Sequence, residues 1–329
     1  MTWGALMALQ FNKDQHFKIV QFTDLHWQNG EGEDQKTAEL IKMVISTESP
    51  DLVVLTGDIL SASSCLDAVQ SMKQVANIFE TCGQRWASTF GNHDDEGNAS
   101  RAELVETQMK FPTCLTQVGP STITGVGNYV LPIEPFCDVN GVGNTTSAAL
   151  LYFIDSGSYA PTNIGGYDWV RHDQIGWYRI QAKSYRTHED KRTPALAFFH
   201  IPLPEYDQVW DFHTCYGAKY EPVCSPRINT GLFAAFHQMG DVMATFVGHD
   251  HVNDYEGELH GIRLCYGRST GYNTYGRNGF LRGARVIQLV EDQREFQTWL
   301  RLSDGSQVIQ KPGNKSIKRQ LTIDESTSS

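Results

Sequence analysis

Apolar runs and polar segments follow one another in an order that predicts most of the elements. The stretch FKIVQFTD is β-rich and alternating, and reads as a strand ending at Asp24. After an acidic, glycine-bearing loop, QNGEGEDQ, the segment KTAELIKMVISTES places apolar residues at helical spacing until Pro50 stops it. DLVVLTGD is a continuous apolar run, as a parallel strand covered on both faces requires. A helix over about 66–80 then leads to RWASTFGNHD, a strand that closes on polar residues. The first hundred residues thus predict β-α-β-α-β, parallel strands joined by right-handed helical crossovers.

From 111 to 146 the chain turns Gly-, Pro- and Asn-rich, which predicts an irregular insertion or edge hairpin with a strand at GNYVLPI. Regularity returns with the strand AALLYFIDS, a helix within GYDWVRHDQIGWYRIQAKSY and the strand TPALAFFH. A long loop over 201–229, a short helix at GLFAAFHQM and the strand DVMATFVGHD follow. Beyond them the period is two, so HGIRLCYG and ARVIQLVEDQREFQTWLRL predict strands of an antiparallel edge or a second sheet. No repeat or linker divides the chain, and residues 1–310 read as a single domain. The polar, Ser/Thr-rich segment 311–329 reads as a loosely ordered tail.

Composition narrows the function classes. A formal net charge of −11 supplies no basic field for a nucleic-acid backbone. No stretch approaches the roughly 18 apolar residues of a membrane-spanning helix. The start, MTWGALMALQFNKD, lacks a basic n-region and a small-residue cleavage site, and is not read as a signal peptide. A secreted or extracellular location is slightly favoured if a leader has been removed, and a cytoplasmic one otherwise. The 7 cysteines form no Cys-x-x-Cys pair. Cys215 and Cys224 flank a segment that a disulfide could close, Cys114 and Cys137 bracket another, and free thiols are the alternative. Sequons at Asn98, Asn144 and Asn314 permit secretion without showing it.

The polar exits of the strands change the picture most. Five of them read IVQF-TDLH, LVVL-TGD, WASTF-GNHD, ALAFF-H and MATFV-GHDH. In an open α/β sheet, side chains just past the carboxyl ends of strands converge on one crevice. That would gather Asp24, His26, Asp58, Asn92, His93, Asp94, His200, His249 and His251, including five of the 11 histidines. Reading these as ordinary turn or core histidines requires the same coincidence five times. Imidazole plus carboxylate without cysteine suits Zn, Mn or Fe. The donors exceed one metal's shell, so two ions fit better than one, with Asp58 as the natural bridge. Gly57, Gly91 and Gly248 would let the backbone approach the metals without a Cβ.

Asp24-x-His26, Gly57-Asp58, Gly91-Asn92-His93-Asp94, His200 and Gly248-His249-Asp250-His251, in this order, resemble the calcineurin-like metallophosphoesterase family. The resemblance implies an α/β/β/α four-layer sandwich, two mixed sheets flanked by helices, with a dimetal site at the C-terminal ends of strands. It implies one metal on Asp24, His26, Asp58 and His251 and a second on Asp58, Asn92, His200 and His249. His93 would face the substrate and protonate or stabilise the leaving oxygen, with Asp94 orienting it. HIPLPEY and YGRSTGYN are similar to the small single-domain relatives of purple acid phosphatases. Those enzymes carry an Asp-x-x-Tyr motif whose tyrosine binds Fe(III). Trp27 stands at that place here, which counts against a purple site.

The expected activity is hydrolysis of a phosphomonoester, from a small molecule or a phosphoprotein, by water activated between two cations. Substrate contacts are expected in loops 28–35, 95–98, 201–229 and 266–280, with Tyr206, His213, Arg268 and Tyr272 as candidates. A phosphodiesterase on the same metals, or a non-catalytic scaffold that keeps them, is the alternative. A dinucleotide-binding fold is disfavoured, since no Gly-x-Gly-x-x-Gly follows the first strand.

Overall fold

The computed structural model describes residues 8–137, 147–186 and 192–314. The chain begins with β1 (Leu9–Gln10), β2 (His16–Phe22), α1 (Glu33–Glu48), β3 (Leu52–Thr56), α2 (Ala68–Thr81), β4 (Trp86–Thr89) and α3 (Arg101–Gln108). It continues through β5 (Tyr129–Glu134), β6 (Ala149–Phe153), α4 (His172–Ser184), β7 (Ala195–Phe198), α5 (Glu205–Phe212) and β8 (Cys215–Tyr216). The last described third holds α6 (Leu232–Met239), β9 (Val242–Val247), β10 (Glu256–Leu259), β11 (Ile262–Tyr266), β12 (Gly283–Val290), β13 (Phe296–Leu302) and β14 (Gln307–Val308). The strands form a six-stranded sheet, β14-β13-β12-β2-β3-β4, and an eight-stranded sheet, β1-β5-β6-β7-β9-β11-β10-β8. Both are mixed. The expected β-α-β-α-β opening is present, with β2, β3 and β4 parallel.

The strand sequences explain why there are four layers. Along β2 and β3, Phe17, Ile19, Leu52 and Val54 face the other sheet, while Val20, Phe22, Val53 and Leu55 face the helices. Those helix-side residues pack on Leu40, Ile41 and Val44 of α1 and on Met72, Val75 and Phe79 of α2. The second sheet repeats the scheme: Leu151, Phe153, Leu196 and Phe198 point between the sheets, and Leu150, Tyr152, Ala195 and Ala197 meet α4 and α6. A strand covered on both faces must be apolar at nearly every position, which is why β3, β6 and β7 show no alternation, whereas β2 keeps Lys18 and Gln21. Stacked rings run across the eight-stranded sheet, with centroids 4.5 Å apart for Tyr129–Phe153, 5.4 Å for Phe153–Phe198 and 5.3 Å for Phe198–Phe246.

Three expectations change. The segment HGIRLCYG becomes β11, which is antiparallel to β10 but parallel to β9. Residues 311–314 are pinned rather than loose. Gly217 N–H donates to the Lys311 carbonyl at 2.9 Å, and Asn314 Oδ1 accepts from Cys215 N at 2.8 Å. The remainder of that tail, and the sequon at Asn144, lie outside the described residues. Cys215 and Cys224 are separate thiols, Cys215 buried and donating to the Val209 carbonyl, and Cys114 is also a thiol.

Candidate metal centre

The strand exits of both sheets meet at one place. Asp24 and His26 follow β2, Asp58 follows β3, Asn92 and His93 follow β4, His200 follows β7, and His249 and His251 follow β9. Hydrogen bonds hold the exits together: Asp24 N donates to Gly57 O at 3.1 Å, His26 N to Asp58 O at 3.0 Å and Gly248 N to His200 O at 3.1 Å. The Asp24 carboxylate accepts from His249 N at 3.0 Å, which joins the two sheets. Four of the eight non-glycine residues with positive φ among the described residues are Asp24, His26, Asp58 and His249. Such strain concentrates at functional sites, and Asp and His tolerate the left-handed region better than most residues. A Cβ at Gly57 would sit 2.6 Å from both Gly91 N and His200 Nδ1, and one at Gly91 would strike the Asp58 carboxylate. These two glycines are therefore what lets three strand exits crowd Asp58.

Two donor clusters result, each with its atoms within 4.8 Å of one another: Asp24, His26, Asp58 and His251, and Asp58, His200 and His249. All six residues are buried, and Asp58 belongs to both clusters. In the first, His26 Nε2 lies 3.2 Å from His251 Nε2 and 3.7 Å from Asp58 Oδ2, and His251 Nε2 lies 3.5 Å from Asp24 Oδ1. In the second, His200 Nε2 lies 3.2 Å from Asp58 Oδ2 and 3.2 Å from His249 Nδ1. Asn92 stands beside the second cluster. Its Nδ2 donates to the Tyr159 hydroxyl oxygen at 2.9 Å, while its buried Oδ1 has no partner.

These residues fit two cations. Three imidazoles are fixed from behind, as metal-ligating histidines are. His26 Nδ1 meets Ser61 Oγ at 3.0 Å, His200 Nδ1 meets the Thr56 carbonyl at 2.8 Å, and His251 Nδ1 meets Thr274 Oγ1 at 2.8 Å. Their Nε2 atoms are thereby turned inward. Burial pushes His26 down to about 4 and His249 down to about 3, and lowers His251 well below the usual imidazole range. Neutral rings with inward lone pairs are what a divalent ion needs. Burial, with Asp58 nearby, raises Asp24 to about 7. Asp58 behaves differently: burial opposes its ionisation, but the rings of His200, His26 and His93 hold it well below the usual carboxylate range. His200 is the exception among the rings, since its pairing with Asp58 outweighs burial and raises it to about 9.

The family profile of calcineurin-like phosphoesterases matches residues 17–253. The chain belongs to the calcineurin-like phosphoesterase family. It is 33% identical to a "Probable inactive purple acid phosphatase 14" of Arabidopsis thaliana, over 90% of this chain and 83% of that protein. It is 31% identical to "Phosphatase DCR2" of Saccharomyces cerevisiae, over 92% of this chain and 56% of the yeast protein. A dimetal phosphatase from Danio rerio superposes with a TM-score of 0.53 at 12% identity, covering 86% of this chain and 98% of that one. That likeness shows the fold, two mixed sheets flanked by helices, and the family together with the two clusters supports a binuclear metal site in this phosphoesterase.

The second sphere departs from the sequence reading. Asp94 does not touch His93: its carboxylate accepts from Gly91 N at 2.7 Å and Leu60 N at 2.8 Å, so it braces the loop. The acid on the His93 ring is Glu96, with Oε2 2.7 Å from Nδ1. Trp27 is buried among helix-side apolar residues, and its indole N–H donates to Gln74 at 2.8 Å, away from the donors. The residue three places after Asp58, Ser61, is the one that faces His26. Tyr206 is fully buried, with its hydroxyl 2.8 Å from Thr245 Oγ1. Arg268 is buried on Asp254 and stacks over Phe280. Tyr272 packs against the core beneath α1, its backbone N–H donating to Thr37 at 3.1 Å. His213 ends α5, where its carbonyl accepts from Asn314 Nδ2 at 2.9 Å. Tyr206 and Arg268 are thus held in the core by their partners rather than offered to a substrate.

The aromatic residues that do line the centre were missed. Tyr167 meets His249 edge-on at 4.2 Å, Tyr275 stacks on His251 at 4.1 Å, and Tyr159 bonds Asn92. One signal was legible. The strand read as AALLYFIDS also ends on polar residues, and Asp155 there pairs with Arg101, whose guanidinium donates to the Gly91 carbonyl at 2.7 Å.

Proposed function

We propose that this phosphoesterase hydrolyses phosphomonoesters at a pair of cations shared by Asp58. The observation that carries the reading is the pair of buried donor clusters meeting on one carboxylate, with His93 beside them. Asp24, His26, Asp58 and His251 would hold one ion, and Asp58, Asn92, His200 and His249 the other. Bound there, Fe, Zn or Mn would activate a water and neutralise the phosphoryl oxygens. The chain's own contribution is position. Asp58 Oδ1 accepts from His93 N–H at 2.8 Å, which ties the leaving-group histidine to the shared ligand. Asp58 and Glu96 raise His93 above its ordinary value despite burial and the opposing ring of His200, which favours the protonated ring an acid catalyst needs. That proton passes to the departing ester oxygen.

Preference for monoesters is supported by the names of the sequence relatives, which are phosphatases. The word "inactive" in one of those names supports the second reading, a scaffold that binds metal without turnover. Rates on p-nitrophenyl phosphate and bis(p-nitrophenyl) phosphate, with Fe, Zn or Mn supplied, decide among them. A faster monoester rate that falls roughly 10²- to 10⁴-fold in His93→Ala with metal retained supports the proposal. A faster diester rate overturns the specificity, and no turnover by the metal-loaded protein overturns the activity.

A further inference from the structure

We propose that Glu96 is the positioning residue of the leaving-group histidine and that Tyr159 makes it one end of a strap reaching Asn92. The inference rests on the role given to His93 above. Both oxygens of Glu96 are engaged. Oε2 meets His93 Nδ1 at 2.7 Å, and Oε1 accepts from the Tyr159 hydroxyl at 2.8 Å. That hydroxyl in turn accepts from Asn92 Nδ2 at 2.9 Å. Ser158 Oγ holds the Asn92 carbonyl at 3.1 Å, which fixes the loop bearing Tyr159 to the loop bearing His93.

The strap is needed because His93 is the least buried of the strand-exit histidines, with 37% of its side chain exposed. A ring so placed samples several rotamers unless something holds it. Asp94 cannot do so, since two backbone N–H groups occupy its carboxylate. With Nδ1 donating to Glu96, the proton on that nitrogen is fixed, and Nε2 is the nitrogen left to face a bound ester. The ring centroid then stands 5.3 Å from His26 and 6.4 Å from Tyr159. At the other end, Tyr159 takes the amide nitrogen of Asn92, so the unpartnered Oδ1 is the atom presented to the second cluster. One chain of hydrogen bonds therefore orients both the group that meets the leaving oxygen and a donor of the second cluster. Preorganisation of this kind is what lets a positioned acid act without reorganising first.

The test uses metal-loaded full-length protein and a series of esters from 2,4-dinitrophenyl phosphate to phenyl phosphate and an alkyl phosphate. Glu96→Ala should lower kcat on phenyl and alkyl phosphates about 10- to 100-fold, part of what a positioned acid contributes, with KM and metal content unchanged. The dinitrophenyl ester, whose leaving group needs no proton, should be hydrolysed at nearly the wild-type rate. In a His93→Ala background the same change should add nothing. An equal loss across the series, loss of metal, or full additivity with His93→Ala overturns the proposal. A His93→Ala loss that ignores the leaving group would instead sink the role given to His93. Nitrogen-15 spectra of the His93 ring decide the Glu96 contact even then. At a pH where the ring has lost its second proton, the Nδ1–H tautomer should dominate in the wild type and give way to a mixture in Glu96→Ala, whereas an unchanged spectrum overturns the contact. Tyr159→Phe should weaken the preference for that form, because Glu96 loses its second anchor.

Discussion

Asp58 is the residue on which the site turns. It sits in left-handed backbone, is buried, and serves both donor clusters. Replacing it with asparagine keeps the shape but removes the charge that both ions share. Asp58→Asn should therefore lose both metals, measured by elemental analysis after dialysis, and full stoichiometry would refute the bridge. Gly91→Ala should do the same by sterics, since a Cβ there runs into the Asp58 carboxylate and backbone. An iron-loaded wild type should lack tyrosinate charge-transfer absorption, because the Tyr159 oxygen is taken by Asn92 and Glu96 and the Tyr275 hydroxyl donates to Glu221. At this scale the donor residues were legible, because each follows an apolar run and shares its residue types with the others. Asp94 and Glu96 could not be told apart by sequence. Both acids lie close to His93, and only the fold of the loop decides which one meets the ring. Arg268 illustrates the converse: arginine suits phosphate, but a buried aspartate claimed it.

At the level of elements, each strand does two jobs: it supplies core on both faces and delivers a polar residue at its end. Phe198 on β7 lies in the ring stack between the sheets, two residues before His200. Phe198→Ala should cost roughly 3–5 kcal/mol in denaturant unfolding, since little can collapse into the space. A cost below about 1 kcal/mol would mean that the inter-sheet core is loosely packed. Asn314 is a second element-scale anchor. Its amide bridges the end of α5 to β8, so Asn314→Ala removes hydrogen bonds to part-buried backbone groups and should cost about 1 kcal/mol. Its sequon should stay unmodified in the folded protein for the same reason. The strands of the first sheet were legible because their runs are long and bounded by polar exits. The parallel pairing of β11 with β9 was not, since period two marks a strand but not its neighbour.

Across the whole molecule, the two sheets come together where carboxylates and imidazoles from both are buried side by side. Holding them close without a cation costs energy, so metal should bind the folded state far better than the unfolded one. Stripping the ions with a chelator should lower Tm, and restoring metal at a hundredfold excess over Kd should return about 2.7 kcal/mol of stability. An unchanged Tm would show that the clusters hold no ion. Family membership reached through the matched profile agrees with what the strand exits imply, because those exits are spread across most of the chain and fall in one fixed order. Substrate contacts were the part that sequence did not yield, since they depend on how loops fold over the crevice. The central claim is that two ions flank Asp58. Anomalous diffraction from crystals soaked in Mn or Zn measures this directly. Two peaks should appear, one among Asp24, His26 and His251 and the other among Asn92, His200 and His249, both in reach of Asp58. A single peak, or none at Asp58, would contradict it.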